Sequence, residues 1–462
     1  MSQTQDARTL TMERAPIPKA IMTLAVPAIV GMLVGSVYNM SDTFFVSRLG
    51  TAAVAAVGIT FPVMAVIWAV GLAFGVGGAS FISRLLGAGQ KDRAESVLMT
   101  SLISSFVAAG MLALLAGLLL DPILKVAGAT PTILPHAERY LVYILLSAPF
   151  QSVTMTISHC LRAEGSSFQS MLGSLVGAAI NIALDPLFIF TFRLGVAGAA
   201  IATALSQVIS LGVFLLPYLR GKSVLRLRPR AAQFKAWIYL EVLKIGAPSA
   251  TREFLSSASM LLLNNAAMVY GDAPLAALSI GGKISWFCFS LLIGFSQGFA
   301  PVAGYNFGAK KPERMWQALW FAVIAGTVYT AATCGLMALF APQLIAFFQD
   351  DPEVVRLGAL ALRLGCIATP FQAWVVIVNT QFQAMGRGIP ASVIALTRQG
   401  LCLIPIILIL PRVLGLFGVL ACQPAADMLS LIVAVPFAVG LIRQMRRLRQ
   451  DWAQPVGEIW EG

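Results

Sequence analysis

The sequence predicts an all-α integral membrane protein: twelve transmembrane helices in two pseudo-symmetric six-helix bundles. Three observations predict it. The chain carries too little charge for a water-facing surface, its apolar stretches are separated by loops of alternating charge, and one half repeats the other at a fixed offset. Of 462 residues, 58% are hydrophobic and 11% are charged, against roughly 25% charged in a soluble domain. Most of the chain therefore has no water to face.

The net charge is +12, from 32 Lys+Arg against 20 Asp+Glu. Nucleic-acid binding is excluded by position, because the bases lie in short loops between apolar runs, which is the positive-inside pattern. Cys160, Cys288, Cys334, Cys366, Cys402 and Cys422 form no close-spaced pairs and lie in or beside apolar runs. They read as small core residues, not as metal ligands or a disulfide framework. His136 and His159 stand apart, so neither a metal site nor a cofactor is expected. Residues 1–19 are polar, with Arg8, Arg14 and Lys19 ahead of an apolar run too long for a signal-peptide core. That run reads as the first span, with a cytoplasmic tail before it.

A membrane helix needs about 20 apolar residues. In order, the spans fall near 19–48, 52–83, 95–120, 138–162, 168–192 and 197–219, then 239–270, 274–303, 316–341, 355–384, 390–411 and 417–442. One set of loops carries Arg84, Lys91 and Arg93, then Arg162, then Arg220, Lys222, Arg226, Arg228, Arg230 and Lys235, and later Lys310, Lys311, Arg314, Arg387 and Arg443 to Arg449. The other set holds only Arg48, Lys125, Arg193 and Arg412, with Asp121, Asp272, Asp350, Asp351 and Glu353. The basic side is cytoplasmic, both termini lie there, and the span count is even. The chain divides into a first bundle (1–219), a basic cytoplasmic linker (220–238), a second bundle (239–442) and a cytoplasmic tail (443–462).

The two bundles are copies. LGTAAVAAVGI at 49–59 answers YGDAPLAALSI at 270–280, an offset of 221 residues. The same offset pairs Pro27 with Pro248, Gly77 with Gly298, Gly87-Ala88 with Gly308-Ala309, Arg93 with Arg314, Pro149-Phe150-Gln151 with Pro370-Phe371-Gln372 and Gly165 with Gly386. After one deletion Gly198 pairs with Gly418. With six spans each, both halves enter from one side, which predicts a substrate site between them near the midplane and alternating access by rocking.

Function is sought where the repeat breaks. Ionisable groups inside a span are costly and mark function by default; four acids qualify, Asp42, Asp185, Glu253 and Asp427. The repeat sets Leu263 opposite Asp42, and Ile406 or Pro405 opposite Asp185, so the acidic site belongs to the first half alone. At 1.5 Å per residue, Asp42 lies about 12 Å below the outer-loop Gly50, Asp185 about 15 Å below Gly195, and Thr203 about 12 Å below the same loop. Asn181 is one turn from Asp185, and Tyr38 and Asn39 stand in that relation to Asp42. Two carboxylates in one low-dielectric pocket cannot both hold charge cheaply, which makes a proton site; the same oxygens could instead hold Na⁺.

Each acid also has a purely structural reading: Asp185 serving a kink before Pro186, Asp42 a packing hydrogen bond, Glu253 an ion pair with Arg252, Asp427 a partner on a neighbouring helix. Lys283 and Arg398 lie at membrane depth as well; Arg398 is expected to snorkel to the cytoplasmic interface, and Lys283 is left open between neutralising an acid and snorkelling. Gly71, Gly75, Gly77 and Gly78 let helices approach closely. Some of the 17 Met and 27 Phe residues could line an adaptable apolar cavity.

PAIVGMLVGSVYNMSDTFFVSRLG, GQKDRAE after the second span, LRAEGS after the fourth, and NIALDPLFIF with GVAGAAIATALSQ resemble the multidrug and toxic compound extrusion (MATE) family along the whole chain. The carboxylate of the first helix with Asn-x-x-x-Asp-Pro in the fifth resembles its DinF-like branch. The resemblance implies a secondary active antiporter in the bacterial inner membrane, exporting cationic or amphipathic compounds against H⁺ or Na⁺. It implies a cation site of Asp42, Asn181, Asp185 and Thr203. Other branches carry an acid in the seventh helix eight residues after a proline; here that place is Ser256, with Glu253 displaced. A monomer with small-molecule partners is expected, and no enzymatic constellation is present. The rival on a similar fold is a lipid-linked oligosaccharide flippase, which would want central Arg and Lys residues that are scarce here. An integral-membrane enzyme and a passive channel are the readings from other classes.

Overall fold

A computed structural model describes residues 10–452. Residues 1–9 and 453–462, the ends of the expected tails, lie outside the described residues. Every regular element among the described residues is a helix, the solution that satisfies backbone polar groups within the segment where lipid offers no partner. The long helices are α1 (Ile17–Ser47), α2 (Thr51–Gly87), α3 (Lys91–Leu118), α5 (Leu134–Ala163), α6 (Ser167–Pro186), α7 (Val196–Leu219), α8 (Ala236–Met268), α9 (Asp272–Gly308), α10 (Pro312–Leu339), α12 (Pro352–Ala384) and α14 (Ile404–Asp451). The short α4 (Leu120–Val126) and α11 (Ala341–Ala346) lie in the α3–α5 and α10–α12 connections, and α13 (Gly388–Leu396) leads through a π-helical segment, Thr397–Leu403, into α14.

Among the described residues, ten helical stretches are long and apolar enough to cross a membrane. The last of these, Gly388–Asp451, is two helices joined at Gly415, whose φ of 60° and ψ of −139° break the helix. The 33-residue α8 has the length but carries Glu241, Lys244, Arg252 and Glu253. The total is the twelve that hydropathy predicts, with the ends of nearly all moved by a few residues.

The repeat is visible in the backbone. Gly50 and Gly271, 221 apart, hold φ of 103° and 104° in the turns after α1 and α8. Gly195 takes φ 59°, ψ −133°, almost the values of Gly415, now 220 apart. Such conformations penalise any side chain, so these four glycines fix where each helix pair turns. The short α4 and α11 also begin 221 residues apart. The deletion therefore falls between Gly165/Gly386 and Gly195/Gly415.

The chain forms two compact units. The first comprises Leu24–Ile82 and Lys91–Ser257; the second comprises Leu10–Thr23, Ser83–Gln90 and the chain from Ala258. In the first, α2 and α8 touch backbone to backbone: a Cβ on Gly77 would strike the Val242 carbonyl, and one on Gly246 the Ala73 carbonyl. Gly78 lies against Ser101, and Gly75 against His159. Close packing is thus what the glycines of the second span supply. In the second unit a reciprocal pair does the same, Gly87 against the Tyr305 carbonyl and Gly308 against the Arg84 carbonyl.

The stretch read from sequence as a basic linker is docked on the first unit by two buried glutamates. Glu164, fully buried, accepts from Ser223 Oγ at 2.5 Å and from the Leu225 N–H at 3.1 Å. Glu95, 3% exposed, accepts from the Arg226 N–H at 3.1 Å and pairs with Arg228 at 3.7 Å. Thr100 and Gln233 exchange hydrogen bonds of 3.2 and 3.0 Å. In the second unit, the segment before α1 is held by Arg314, which donates to the Met12 and Ala15 carbonyls at 3.2 and 2.8 Å, and by Lys311, which donates to Glu13 at 3.0 Å.

Candidate functional site

The site begins with a stripe on α6. Gly173, Gly177, Asn181 and Asp185 are spaced by four and so share one helix face. Toward the start of α6 that face is bare: a Cβ on Gly173 would meet the Phe214 ring at 2.5 Å, and one on Gly177 would meet Ser210 at 2.9 Å. Ser210 Oγ donates to the Gly173 carbonyl at 2.8 Å. These contacts press α7 onto α6. One turn further, the same closeness sets Asn181 Nδ2 3.4 Å from Thr203 Oγ1.

Beyond Asp185 the helix cannot continue regularly, because Pro186 supplies no N–H. It widens into a π-helical segment, Leu187–Thr191, and turns at Gly195. Gly198 then packs so closely on the Phe188 carbonyl that a Cβ there would come within 2.7 Å of it, where no side chain would fit. Asp185 is thereby fixed at the end of α6, fully buried, with Asn181 equally buried and Thr203 3% exposed.

Helix α1 completes the group. The Tyr38 hydroxyl hydrogen-bonds Thr203 and lies within electrostatic reach of Asp42 and Asp185. Asp42 is half-buried and interacts with Asp185; its Oδ1 is shielded from solvent and makes no hydrogen bond among the described residues. Tyr140 of α5, 2% exposed, faces Asp42, Tyr38 and Asp185 together. Four helices of one unit thus converge two carboxylates, an amide and three hydroxyls inside an apolar shell that includes Val46, Ile67, Leu141 and Ile144. That donor set suits a proton or a small hard cation. Among the described residues no cluster of three His, Cys, Asp or Glu side chains is placed to hold a metal ion.

The sequence-derived residues therefore divide. Tyr38, Asp42, Asn181, Asp185 and Thr203 come together. Asn39 does not; it is exposed, and its amide donates to the Gly35 carbonyl of its own helix at 2.9 Å. Glu253 sits half-buried on α8, its backbone carbonyl accepting from Ser257. Lys283 is exposed on α9 of the second unit. Asp427, also of the second unit, is paired with Arg398 at 2.5 Å. Arg398 thus does not snorkel; a carboxylate on the neighbouring helix is a stronger attraction at that depth than a distant interface. Tyr140 was missed by the sequence reading, since an aromatic one turn into a span looks like an interface anchor.

The profile of the MatE family matches residues 27–187 and 248–409, two stretches that begin 221 residues apart. The chain belongs to the MATE family. Among curated MATE relatives, the multidrug export protein MepA of Staphylococcus aureus is 29% identical over 434 residues, covering 93% of this chain and 95% of that one. MepA of Staphylococcus haemolyticus is 29% identical over 417 residues, covering 90% and 92%. Among solved structures, the outward-facing conformation of a multidrug resistance MATE transporter of the MOP superfamily aligns with TM-score 0.89 at 27% identity, over 96% of this chain and 98% of that one. A MATE in complex with MaL6 aligns with TM-score 0.90 at 26% identity, over 97% and 100%. This MATE chain is accordingly a multi-pass membrane transporter with the family's twelve-helix architecture.

Proposed function

We propose that this MATE chain is a secondary active multidrug efflux antiporter of the bacterial inner membrane, exporting cationic and amphipathic small molecules against an inward flow of H⁺. The observation that carries the reading is the convergence of Asp42, Asp185, Asn181, Thr203 and Tyr38 in one unit, at the place where the internal repeat is broken. The multidrug export named for the MepA relatives supports it.

The geometry suggests an order of events. Asp42 is the half-buried carboxylate and meets an arriving proton first; Asp185 is fully enclosed. The Tyr38 hydroxyl is bonded to Thr203, whose Oγ1 also accepts from the Asn181 amide. Protonation removes a charge that the low-dielectric shell opposes. The helices that present the pocket, α1, α6 and α7, then settle differently, and substrate affinity falls. Deprotonation on the cytoplasmic side restores it. One charge crossing gains about 2.3 kcal/mol per 100 mV, equivalent to roughly fifty-fold in concentration. Substrate would be held mainly by apolar contacts with few fixed polar ones. The protein acts as a monomer, without catalysis or cofactor, with both termini in the cytoplasm.

The oxygen-rich donor set favours one second reading, Na⁺ at Asp42 and Asp185 as the coupling ion. Reconstituted vesicles separate the two. A lipophilic fluorescent cation should move under an imposed pH gradient and stop moving in Asp42→Asn. Movement under a Na⁺ gradient alone would transfer the coupling to Na⁺, and full pH-driven export by Asp42→Asn would remove the site from the mechanism.

A further inference from the structure

The second unit carries an ionic constellation of its own that the coupling reaction does not use. Arg398 lies in the π-helical segment Thr397–Leu403 and reaches Asp427 of α14 through Nε at 2.5 Å and Nη2 at 3.5 Å. The guanidinium also lies over the Phe289 ring of α9, 5.3 Å from its centroid. Phe289 is itself set against Trp286, with ring centroids 6.4 Å apart.

The pair is fixed from behind. The Asp427 backbone carbonyl accepts from Gln372 Nε2 at 3.0 Å and from Ser430 Oγ at 2.8 Å. Gln372 also donates to Ser430 Oγ at 3.0 Å, and Ser259 Oγ donates to the Gln399 carbonyl beside Arg398 at 2.8 Å. A π-helical turn costs regular hydrogen bonding and recurs at functional sites; here it presents an arginine.

Two features separate a recognition site from a mere tie. First, the partners are unequally covered: the Arg398 side chain is 23% exposed and that of Asp427 8%. A ligand meets the cation, not the carboxylate. Second, a guanidinium carries five N–H donors, and Nη1 makes no hydrogen bond among the described residues. Unspent donors at membrane depth seek an acceptor, and the planar fork matches a carboxylate. Exposed Trp286, with Phe289 beside it, supplies a surface for a flat ring.

We propose that Arg398, steadied by Asp427 and Phe289, is an anion-recognition point of the second unit that takes the carboxylate of an aromatic amphiphile. The inference rests on the export reading above. Anionic lipid headgroups share the chemistry, so the test must tell the two sources apart.

The probes are rhodamine B, a zwitterion with a free carboxylate, and its ethyl ester, a cation on the same ring system. Binding is measured by fluorescence anisotropy on the full chain in nanodiscs of phosphatidylcholine. Arg398→Gln should reduce the preference for the free acid over the ester by about tenfold or more, the usual worth of a charge-assisted hydrogen bond. The double variant Arg398→Gln/Asp427→Asn leaves no unpaired buried charge and should lose the preference equally, which covers the case in which the single variant misfolds. Loss of affinity for both probes in the same proportion, or an unchanged preference, would overturn the proposal in favour of a structural tie. Phosphatidylglycerol added to the nanodisc should leave rhodamine B binding in place; competition by it, absent in Arg398→Gln, would assign the site to lipid and overturn the drug reading. Failure of the wild type to export the ester in vesicles counts against the antiporter reading instead, so the two failures are distinct.

Discussion

The pocket of the first unit and its counterpart in the second occupy the same place in one repeated backbone and contain opposite chemistry. Asp42 of the first half corresponds to Leu263 of the second, Asn181 to Leu401 or Cys402, and Asp185 to Pro405 or Ile406, all of them apolar. There Leu263, Cys402, Leu403, Ile407, Val419 and Cys422 form a buried apolar cluster with Ile406 packed against it. The turn that closes each pocket is conserved between halves down to the dihedral angles of Gly195 and Gly415. What differs is a handful of side chains. In the second half charge appears one turn earlier in the chain: Arg398 precedes Cys402 by four residues, about 6 Å along a helix. The repeat supplies geometry, and polarity is written onto each copy separately.

The largest expected effect breaks that asymmetry at its centre. Asp42→Asn or Asp185→Asn should reduce gradient-driven export to the level of empty vesicles, with the protein still folded and in the membrane. Leu263→Val at the equivalent place should cost less than about 1.5 kcal/mol of stability and leave export running. Equal damage at both places would mean that the pocket is merely structural.

Moving the charge across the repeat sharpens the comparison. Leu263→Asp places a lone carboxylate in the apolar cluster and should cost about 3 kcal/mol, read as a lower unfolding temperature in detergent, without a second coupled ion. A gain in transport stoichiometry would show that backbone geometry alone makes the site.

A smaller effect is expected where α6 meets α7. Gly173→Ala forces a methyl against Phe214, 2.5 Å from the ring, and overpacking of this kind costs about 1–3 kcal/mol. Export should fall with it, because Thr203 moves off Asn181; a compensating Phe214→Leu should restore both.

The smallest effect separates the linker from the segment before α1. Glu164 and Glu95 grip the linker from buried positions, whereas Glu13 holds its segment from the surface through Lys311, the two side chains 31% and 35% exposed. The Lys311 hydrogen bond holds the Glu13 carboxyl below its ordinary range. Its contribution is therefore complete at neutral pH and lost as the carboxyl protonates on acidification. Glu13→Gln should lower the unfolding temperature slightly at neutral pH, by at most about 1 kcal/mol equivalent, and not in acid. Glu164→Gln should cost more at neutral pH. A reversed order would place the weight on the surface pair.

The helices were legible because lipid imposes length and apolarity on each span, and the grouping of Asp42 with Asp185 because both are carboxylates deep within first-half spans that the repeat leaves unmatched. Tyr140 was not legible, since nothing in a lone tyrosine says which way it faces. The Arg398–Asp427 pair was within reach: a base and an acid in consecutive spans are cheaper together than apart. Glu95 and Glu164 were hidden among loop charges, because burial of a cytoplasmic glutamate depends on the chain that folds over it. Asn39 misled because one-turn spacing places a residue near Asp42 without fixing its rotamer.

The docked linker has a consequence for biosynthesis. Its holding groups, Glu95, Thr100 and Glu164, all precede Ser223 to Gln233 in the chain. The strap can therefore lock down as soon as it leaves the ribosome, while α9 to α14 are still unmade. Nascent first-half helices are strapped together before the second set of similar spans arrives to compete for them, and the order of translation becomes a safeguard against mispairing between copies.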